Sequence, residues 1–354
     1  MLPAVRSLNP PLAGIAANQG GAFTRAQALA SGYSSSEVQH LVDRKHWHRL
    51  RRGGYVLREM FDEATEEQRH VLRLRAFLAA VRSQPVATGV TAALVHGFAV
   101  HDADLRTCLV VHRDGQHPYF AGGVRHREAE LADDEVTRVD GILVTTPART
   151  VVDVARHHSF ASAVVTADSA LRAGLSRDDL WAAATRARSW SGGRTATRVA
   201  GFADGRAQSP GESLTRVLMS EAGLPTPEPQ FGVRDRYGLI GLVDLALVAW
   251  RVIVEFDGRS KYGIDGQDAR EQLWAEKQRE DRLRAAGWEV VRVIWAQLRN
   301  PELMLRILEA RDRAIGRVSR GPAEVASAGR SGSLRRSQSR SEGAAAPLGA
   351  PPYR

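Results

Sequence analysis

The 354-residue sequence contains one cysteine, Cys108, which excludes an internal disulfide and any zinc site built from several cysteines. It also lacks a run of about 18 apolar residues, and its first residues carry no signal-peptide pattern. We therefore expect a cytoplasmic protein with no membrane partner. Apolar residues make up 43% and charged residues 25% of the chain, which is typical of globular domains, and the length suffices for two or three of them.

Lysine is also scarce, because only Lys45, Lys261 and Lys277 stand among the 49 lysine and arginine residues. A genome rich in G and C favours arginine codons and explains most of this bias. The few lysines still matter, since a compact ammonium does chemistry that a guanidinium cannot. Two of them, Lys261 and Lys277, lie beside an acidic segment at residues 241–258. Carboxylates on apolar strands with a nearby lysine are typical of metal-dependent phosphodiesterase sites.

The net charge of +9 is concentrated at one end of the chain. Residues 316–354 hold seven arginines and two glutamates, so more than half of the net charge belongs to this segment. It consists largely of Ser, Gly, Ala, Pro and Arg, and we expect a disordered basic tail there. The rest of the chain is only mildly basic, so contact with DNA has to come from local patches.

The first 64 residues have the pattern of a winged helix-turn-helix domain. A helix begins at Leu12, and capping boxes at Thr24 and Ser34 predict two further helices. Residues 46–57 then alternate apolar and basic side chains around Gly53-Gly54, which predicts a basic hairpin. In such a domain the second helix of the motif enters the major groove and the wing touches phosphates. The expected DNA contacts are Ser35, Ser36, Gln39, Arg44, Lys45, Arg49, Arg51 and Arg52.

A small helical domain that contacts proteins, with a solvated basic face, is the alternative for this segment. The pattern of residues 10–60 resembles the N-terminal winged-helix domain of the AbiEi family of type IV antitoxins. The resemblance implies DNA binding and a toxin protein as a partner. Residues 65–190 form an α+β middle region that is similar to the part following the winged helix in AbiEi-like proteins.

Five histidines of the middle region have no regular ligand spacing, and we interpret them as scattered core or surface residues. They are His96, His101, His112, His117 and His126. A shift in composition at residues 189–211, rich in Ser, Gly and Arg, predicts a domain boundary near residue 200.

The third domain, residues 200–315, begins with a helix capped by Ser209 and Pro210, with Glu212 at the third helical position. That glutamate either completes the cap alone or also reaches a metal ion. Two strands follow, and a two-residue loop centred between residues 249 and 250 would place Asp244 opposite Glu255. Adjacent carboxylates on apolar strands repel each other, so a bound divalent cation is the simplest compensation. An outward-facing carboxylate on each strand is the alternative.

Asp257 lies two residues after Glu255 and is therefore expected on the same face. Lys261 follows in a glycine-bounded loop. A helix from about residue 268 to residue 286, capped by Gly287, would carry Leu273, Trp274 and Lys277 on one stripe, with Lys277 on or beside the buried seam. Alternatively, Lys277 covers apolar surface with its stem and keeps its head in solvent.

The order of a helix with Glu212, a strand with Asp244, a strand with Glu255 and Asp257, a helix and a strand resembles the PD-(D/E)xK phosphodiesterase superfamily. Over residues 205–312 it is similar to the DUF559 group, which is related to very-short-patch-repair endonucleases. The superfamily's lysine position holds Asp257 here, and Lys261 stands near the place where many members of the narrower group have a histidine.

The resemblance implies that Asp244, Glu255 and Asp257 bind Mg²⁺ or Mn²⁺, with Glu212 completing the site through water. It also implies that Lys261, or Lys277 in its place, positions the attacking water or stabilises the phosphate.

The sequence thus predicts a multidomain α/β protein: an N-terminal winged helix-turn-helix, an α+β middle region and a C-terminal restriction-endonuclease-like domain with a mixed central sheet. The leading hypothesis is a DNA-binding protein whose third domain hydrolyses phosphodiester bonds, in phage defence or DNA repair. The alternative is a non-enzymatic, antitoxin-like transcriptional regulator with a degenerate nuclease domain. A third hypothesis is that the C-terminal fold binds a toxin.

Overall fold

A computed structural model describes residues 8–112, 118–258, 267–300 and 302–328. These residues form a mixed α/β protein in which three separate sheets contain three, six and four strands. In the same described ranges, no helix combines the length and the apolar character needed to cross a membrane. The expected α/β architecture with several units is therefore confirmed.

The N-terminal unit is built from three short helices and a small antiparallel sheet. The elements are α1 (Pro10–Asn18), β1 (Phe23–Thr24), α2 (Arg25–Ala30), α3 (Ser35–Asp43), β2 (Trp47–Arg51) and β3 (Gly54–Leu57), with strand order β1-β3-β2. The capping boxes predicted at Thr24 and Ser34 are both present, and they start α2 and α3. Trp47 is buried and packs edge-on against Phe23 and Tyr33, so the start of the hairpin is anchored in the helical core.

Two helices, α4 (Arg58–Glu63) and α5 (Glu66–Leu78), lead into a six-stranded sheet. Its strands are β4 (Val86–Ala87), β5 (Cys108–Val111), β6 (Tyr119–Ala121), β7 (Val124–Arg127), β8 (Val136–Val139) and β9 (Ile142–Thr145), in the order β6-β7-β5-β4-β9-β8. The sheet is mixed, because β5 runs parallel to β7 and β4 runs parallel to β9.

Helices α6 (Gly89–Val95), α7 (Pro147–His157), α8 (Phe160–Arg172), α9 (Arg177–Arg186) and α10 (Gly193–Phe202) complete the middle region. Their shared core consists mainly of small and β-branched side chains, among them Val151, Val164 and Ala167. Small side chains let helices approach closely, which explains how five helices pack into one apolar cluster.

The last unit begins with α11 (Pro210–Glu221) and contains a four-stranded sheet. Strands β10 (Glu228–Asp235), β11 (Gly238–Leu247), β12 (Val252–Phe256) and β13 (Glu289–Val293) lie in that order, with β13 parallel to β12. Helices α12 (Gln267–Ala285) and α13 (Glu302–Ala328) follow β12 and β13. The sheet is therefore mixed, as predicted.

Helix α13 corrects the predicted boundary of the C-terminal tail. The helix continues through residues 316–328, which we expected to be disordered. Its first turns bury Leu303, Ile307 and Ala310 against the sheet, and this packing stabilises the start of the helix. Residues 329–354 lie outside the described residues.

Candidate functional site

A basic surface lies on α3 and the β2–β3 hairpin. Seven of the eight predicted DNA-contact residues are exposed there, and we use the term basic surface for these seven: Ser35, Ser36, Gln39, Arg44, Lys45, Arg49 and Arg52. Helix α3 presents the first three from one side, and its single buried residue, Val38, faces the core. Arg49 lies on β2, and Arg52 follows in the turn of the hairpin.

The cations of the basic surface have no carboxylate partner among the described residues. Arg44, Lys45, Arg49 and Arg52 form no salt bridge there, whereas the nearby Arg58 pairs with Asp62 at 2.7 Å. Several arginines of the C-terminal unit are paired, for example those that contact Glu280 and Glu289. Unpaired positive charge on one face is what an anionic partner requires.

Arg51 corrects the prediction for the eighth residue. Its guanidinium lies 5.1 Å from the ring of Phe77 and against Gly122, so it faces the middle region. Its Nε and Nη1 atoms are buried and have no hydrogen-bond partner in the described structure. An irregularity in the β2–β3 pairing between Arg49 and Arg51 separates two side chains that a regular strand would place on one face. The sequence alternation could not show this bulge.

The second candidate site is an acidic cluster on β11 and β12. The pairs Leu245↔Val254 and Leu247↔Val252 have the register we predicted, and it brings Asp244 beside the end of β12. There the Asp244 carboxylate accepts a hydrogen bond from the backbone N–H of Phe256 at 2.8 Å. The predicted two-residue loop is wrong, because residues 248–251 form the turn, with a 3₁₀ turn and Arg251 at φ 55°.

Both carboxylates of this cluster have a raised pKa. Burial raises the pKa of Asp244 above its ordinary value, and the nearby Glu212 carboxylate adds to the rise, while the Phe256 N–H opposes it. Burial likewise raises the pKa of Glu255, against the opposing effect of Arg279. The Arg279 guanidinium lies 2.9 Å from Glu255. The chain therefore supplies its own positive charge, and the carboxylate pair does not require a bound cation as compensation.

Glu212 is buried and serves the start of α11. Its carboxylate accepts hydrogen bonds from the Ser209 hydroxyl at 2.8 Å and the Gln208 N–H at 2.9 Å. The side chain of Gln230 donates to the same carboxylate at 3.2 Å, and it also hydrogen-bonds to Asp244. The capping role that we predicted for Glu212 is thus confirmed, and its link to Asp244 runs through Gln230.

Gln230 is a residue of the cluster that the sequence did not reveal. It has a φ of 52° inside β10 and stands opposite Asp244, between the pairs Pro229↔Leu245 and Phe231↔Val243. A positive φ is costly for a residue with a side chain and often marks a functional position. No local sequence pattern predicts a role for Gln230, because it reaches the cluster only through the pairing of β10 with β11.

The other residues of the predicted site are less closely grouped. Asp257 follows the end of β12, is half-buried and donates its backbone N–H to Val293 O at 2.8 Å. Lys277 is exposed, and Trp274 is 62% exposed, so the predicted buried stripe of α12 is wrong. The helix buries Leu283 instead and turns Arg279 toward β11 and β12. Lys261 lies outside the described residues.

The acidic side chains do not fit a metal ion in the arrangement that the structure describes. The Glu212 carboxylate accepts the hydrogen bonds that cap α11, and the Asp244 carboxylate accepts one from the N–H of Phe256. The Glu255 carboxylate forms a salt bridge with Arg279. Within the described ranges, no three His, Cys, Asp or Glu side chains come together as metal ligands would. We therefore assign no chemical step to a metal ion at this cluster.

His112 and His126, two of the five histidines named in the sequence analysis, contact each other in the middle region. Their ring nitrogens lie 2.7 Å apart, the rings are stacked, and Tyr119 stacks on the outer face of His126. Burial lowers the pKa of His126, and the neighbouring His112 and Arg51 lower it further. His117 lies outside the described residues.

Comparison with known proteins assigns parts of the chain to known families. The model of a family described as "Transcriptional regulator, AbiEi antitoxin" matches residues 12–58, which extend from α1 to the first residue of α4. The model of the "AbiEi antitoxin C-terminal domain" matches residues 85–201, which contain the six-stranded sheet and α6 to most of α10. A crystal structure of the RV2827C protein from Mycobacterium tuberculosis aligns with 66% of this chain and 90% of that chain, at 14% identity and a TM-score of 0.37.

Two proteins of Mycobacterium tuberculosis, the uncharacterized proteins MT2308 of strain CDC 1551 and Rv2248 of strain H37Rv, are similar over a longer range. Each is 30% identical over 260 residues, which is 71% of this chain and 90% of the relative. The chain therefore belongs to the same family as these two mycobacterial proteins, and it carries the N-terminal and C-terminal domains of AbiEi antitoxins.

Proposed function

We propose that the protein is a non-enzymatic, antitoxin-like transcriptional regulator that binds DNA through a winged helix-turn-helix. The family descriptions for residues 12–58 and 85–201 support this proposal over an enzymatic function. The observation that carries it is the basic surface, where Arg44, Lys45, Arg49 and Arg52 have no salt bridge within the described residues. Such cations are available to phosphates.

The proposed docking follows from the order of the elements. Helix α3 would lie in the major groove, with Ser35, Ser36 and Gln39 toward the base edges. Gln39 is held by Asp43 at 2.8 Å, so it would have to exchange that hydrogen bond for one to a base. The hairpin of β2 and β3 would act as the wing and place Arg49 and Arg52 against the backbone. Base contacts would give specificity, and phosphate contacts would give most of the affinity.

We further propose four functional segments. Residues 1–64 would be the DNA-binding domain, residues 65–190 the AbiEi-like middle region and residues 200–315 a domain of the DUF559 type. Its last helix continues to Ala328, and a basic tail would follow from residue 329. The partner would be a toxin protein, by analogy with the AbiEi description of the first two segments. Toxin neutralisation on co-expression, by the wild-type chain but not by residues 1–64 alone, tests this partner.

The central experiment uses purified full-length protein and duplex DNA from immediately upstream of its own gene. We expect binding with a dissociation constant of about 10⁻⁸ M or tighter at moderate salt, and binding to unrelated duplexes that is about 10³-fold weaker. Fluorescence anisotropy with unlabelled competitor measures both values. Equal affinity for the upstream duplex and for unrelated DNA would contradict the proposed role as a transcriptional regulator. The absence of binding at low salt would contradict DNA recognition altogether.

Endonuclease activity is the second candidate function. The order of α11, β10 to β12, α12 and β13 and the position of Asp244 beside β12 support a domain of the PD-(D/E)xK type. Arg279 at Glu255 and Asp257 in place of a lysine favour a degenerate site. We propose on this basis that the domain is retained for binding or assembly.

Cleavage of DNA separates the two possibilities for this domain. If the nuclease site is degenerate, neither the wild-type protein nor Asp244→Ala is expected to cleave supercoiled or single-stranded DNA in the presence of Mg²⁺ or Mn²⁺. The result should match that of control reactions with EDTA. In the enzymatic case, Asp244→Ala abolishes a cleavage that the wild-type protein shows, and circular dichroism shows that the variant is folded. Cleavage of equal rate by both proteins would contradict any role of Asp244.

A further inference from the structure

A cavity of about 460 Å³ lies in the middle region, between α7 and the end of strand β7. Arg127, the last residue of β7, lines one side. The facing side of α7 contributes Arg149, Asp153, Arg156 and His157. These α7 residues are four, three and one apart, so they share one face of the helix. The cavity thus has a charged wall on a rigid helix, well separated in sequence from the basic surface and from the acidic cluster.

Two of the guanidiniums in this wall are held in fixed positions. Arg149 is 3% exposed and donates to Asp153 at 3.1 Å and to Glu135 at 2.6 Å. Arg156 donates to Ser191 O at 2.8 Å. Both guanidiniums lie over the ring of Trp190, at 4.7 and 4.8 Å from its centroid. Such a wall is preorganised, and little side-chain entropy is lost when an anion binds to it.

The two buried acids near the cavity are already saturated. Asp153 accepts from Arg149 and Arg156 with one oxygen and from the Thr88 hydroxyl, at 2.8 Å, with the other. Glu135 pairs with Arg149 and Arg186. Arg127 is half-buried and forms no salt bridge with a carboxylate in the part of the chain that the structure describes. Glu128 and Glu130, which also border the cavity, are exposed to solvent.

The arginines of this wall influence the titration of the neighbouring groups, and Asp153 opposes them. Burial and, to a smaller extent, the nearby Arg127 and Arg156 together lower the pKa of His157 to about 4. Burial also lowers the pKa of the Arg127 guanidinium. His157 is therefore neutral at pH 7 and can donate one hydrogen bond, while Arg127 remains charged in a partly desolvated place. An anion in the cavity would pair with Arg127, the lining arginine that has no salt bridge among the described residues.

We propose that this cavity binds the phosphate group of a small phosphate monoester, with Arg127 and His157 as its principal donors. A phosphate dianion offers several acceptor oxygens to a planar guanidinium, which binds it in a bidentate manner. The cavity volume lies within the range of small-molecule sites and exceeds what a free phosphate ion needs, so an organic group is accommodated beside the phosphate.

Calorimetric titration of the full-length protein tests the proposal with three probes: adenosine 5′-monophosphate, inorganic phosphate and adenosine, all at the same ionic strength in chloride. The monoester and inorganic phosphate are expected to bind, and adenosine is not. Tighter binding of the monoester identifies an ester as the ligand, whereas equal affinity identifies free phosphate as the source. Binding of adenosine as tight as that of the monoester, or no binding of either phosphate at millimolar concentration, would overturn the site.

Two matched variants locate the binding. Arg127→Gln is expected to weaken phosphate binding at least tenfold, because it removes a charged bidentate donor. Arg125→Gln, two residues earlier on β7 and exposed, is the control and should bind as the wild-type protein does. Retained affinity in Arg127→Gln, or an equal loss in Arg125→Gln, contradicts the assignment. Should Arg127→Gln fail to fold, Arg127→Lys keeps the charge without the planar fork, and an unchanged affinity in that variant also counts against the proposal.

Discussion

Replacement of Asp168 by alanine is expected to lower the free energy of unfolding by about 3–5 kcal/mol. Asp168 is fully buried on α8, and its carboxylate accepts a hydrogen bond from Arg216 of α11 at 2.8 Å and one from the backbone N–H of Asp204 at 2.7 Å. The side chain of Arg216 is itself only 3% exposed. Without its partner, that guanidinium would remain as an uncompensated charge in the interior, and this explains the size of the effect.

The remaining contacts of Arg216 cannot make up for the loss. One nitrogen donates to Phe202 O at 2.8 Å, and the guanidinium lies over the Phe202 ring, but its Nε has no partner among the described residues. Chemical denaturation measures the difference. Asp134→Ala is the control, since its ion pair with Arg186 is exposed and is worth at most about 1 kcal/mol. A loss in Asp168→Ala no larger than in the control contradicts the prediction.

A third variant separates the contribution of the pair from the cost of breaking it. The double substitution Asp168→Leu with Arg216→Met removes both charges and keeps apolar volume, so it is expected to recover most of the stability that Asp168→Ala loses. The pair joins the middle region to the first helix of the last unit. Its loss should therefore destabilise α11, whose N-terminal cap holds Glu212 beside the acidic cluster.

Local sequence patterns were sufficient where the structure depends on residues near one another in the chain. The capping boxes of α2 and α3 involve residues three apart, and both are present. The register of β11 and β12 follows from the short connection between them. The predicted register is correct although the loop is longer than predicted, because both loops are centred between residues 249 and 250. Alternation then carried that register along both strands.

Partners from distant parts of the chain were not accessible in this way. Arg279 lies on α12 and reaches Glu255 only because α12 packs along β11, and Gln230 meets Asp244 across a separate strand pair. Arg51 is not part of the basic surface, because an irregularity in the β2–β3 pairing directs its side chain toward Phe77. Each of these contacts depends on tertiary packing, and the spacing of residues along the sequence does not reveal it.

The four unpaired cations of the basic surface give the largest expected effect on DNA binding. Neutralising Arg44, Lys45, Arg49 and Arg52 together, each as alanine, should make the slope of log K against log salt concentration shallower by about 3.6, or 0.9 per phosphate contact. At 0.1 M salt this corresponds to a loss of about 4 × 10³-fold in affinity, since each contact contributes about 0.9 decade between 1 M and 0.1 M. Anisotropy titrations across a salt series give both values.

Arg51 and two paired arginines provide the contrast for this variant. Arg51→Ala should leave the slope unchanged, although it neighbours Arg52, because its guanidinium lies over Phe77. Arg284 and Arg311 are accessible but pair with Glu280 and Asp312, and their double alanine variant should also keep the wild-type slope. If either control reduces the slope as much as the fourfold variant does, net charge rather than the basic surface governs binding. A wild-type slope in the fourfold variant would place the DNA contacts on another face of the protein.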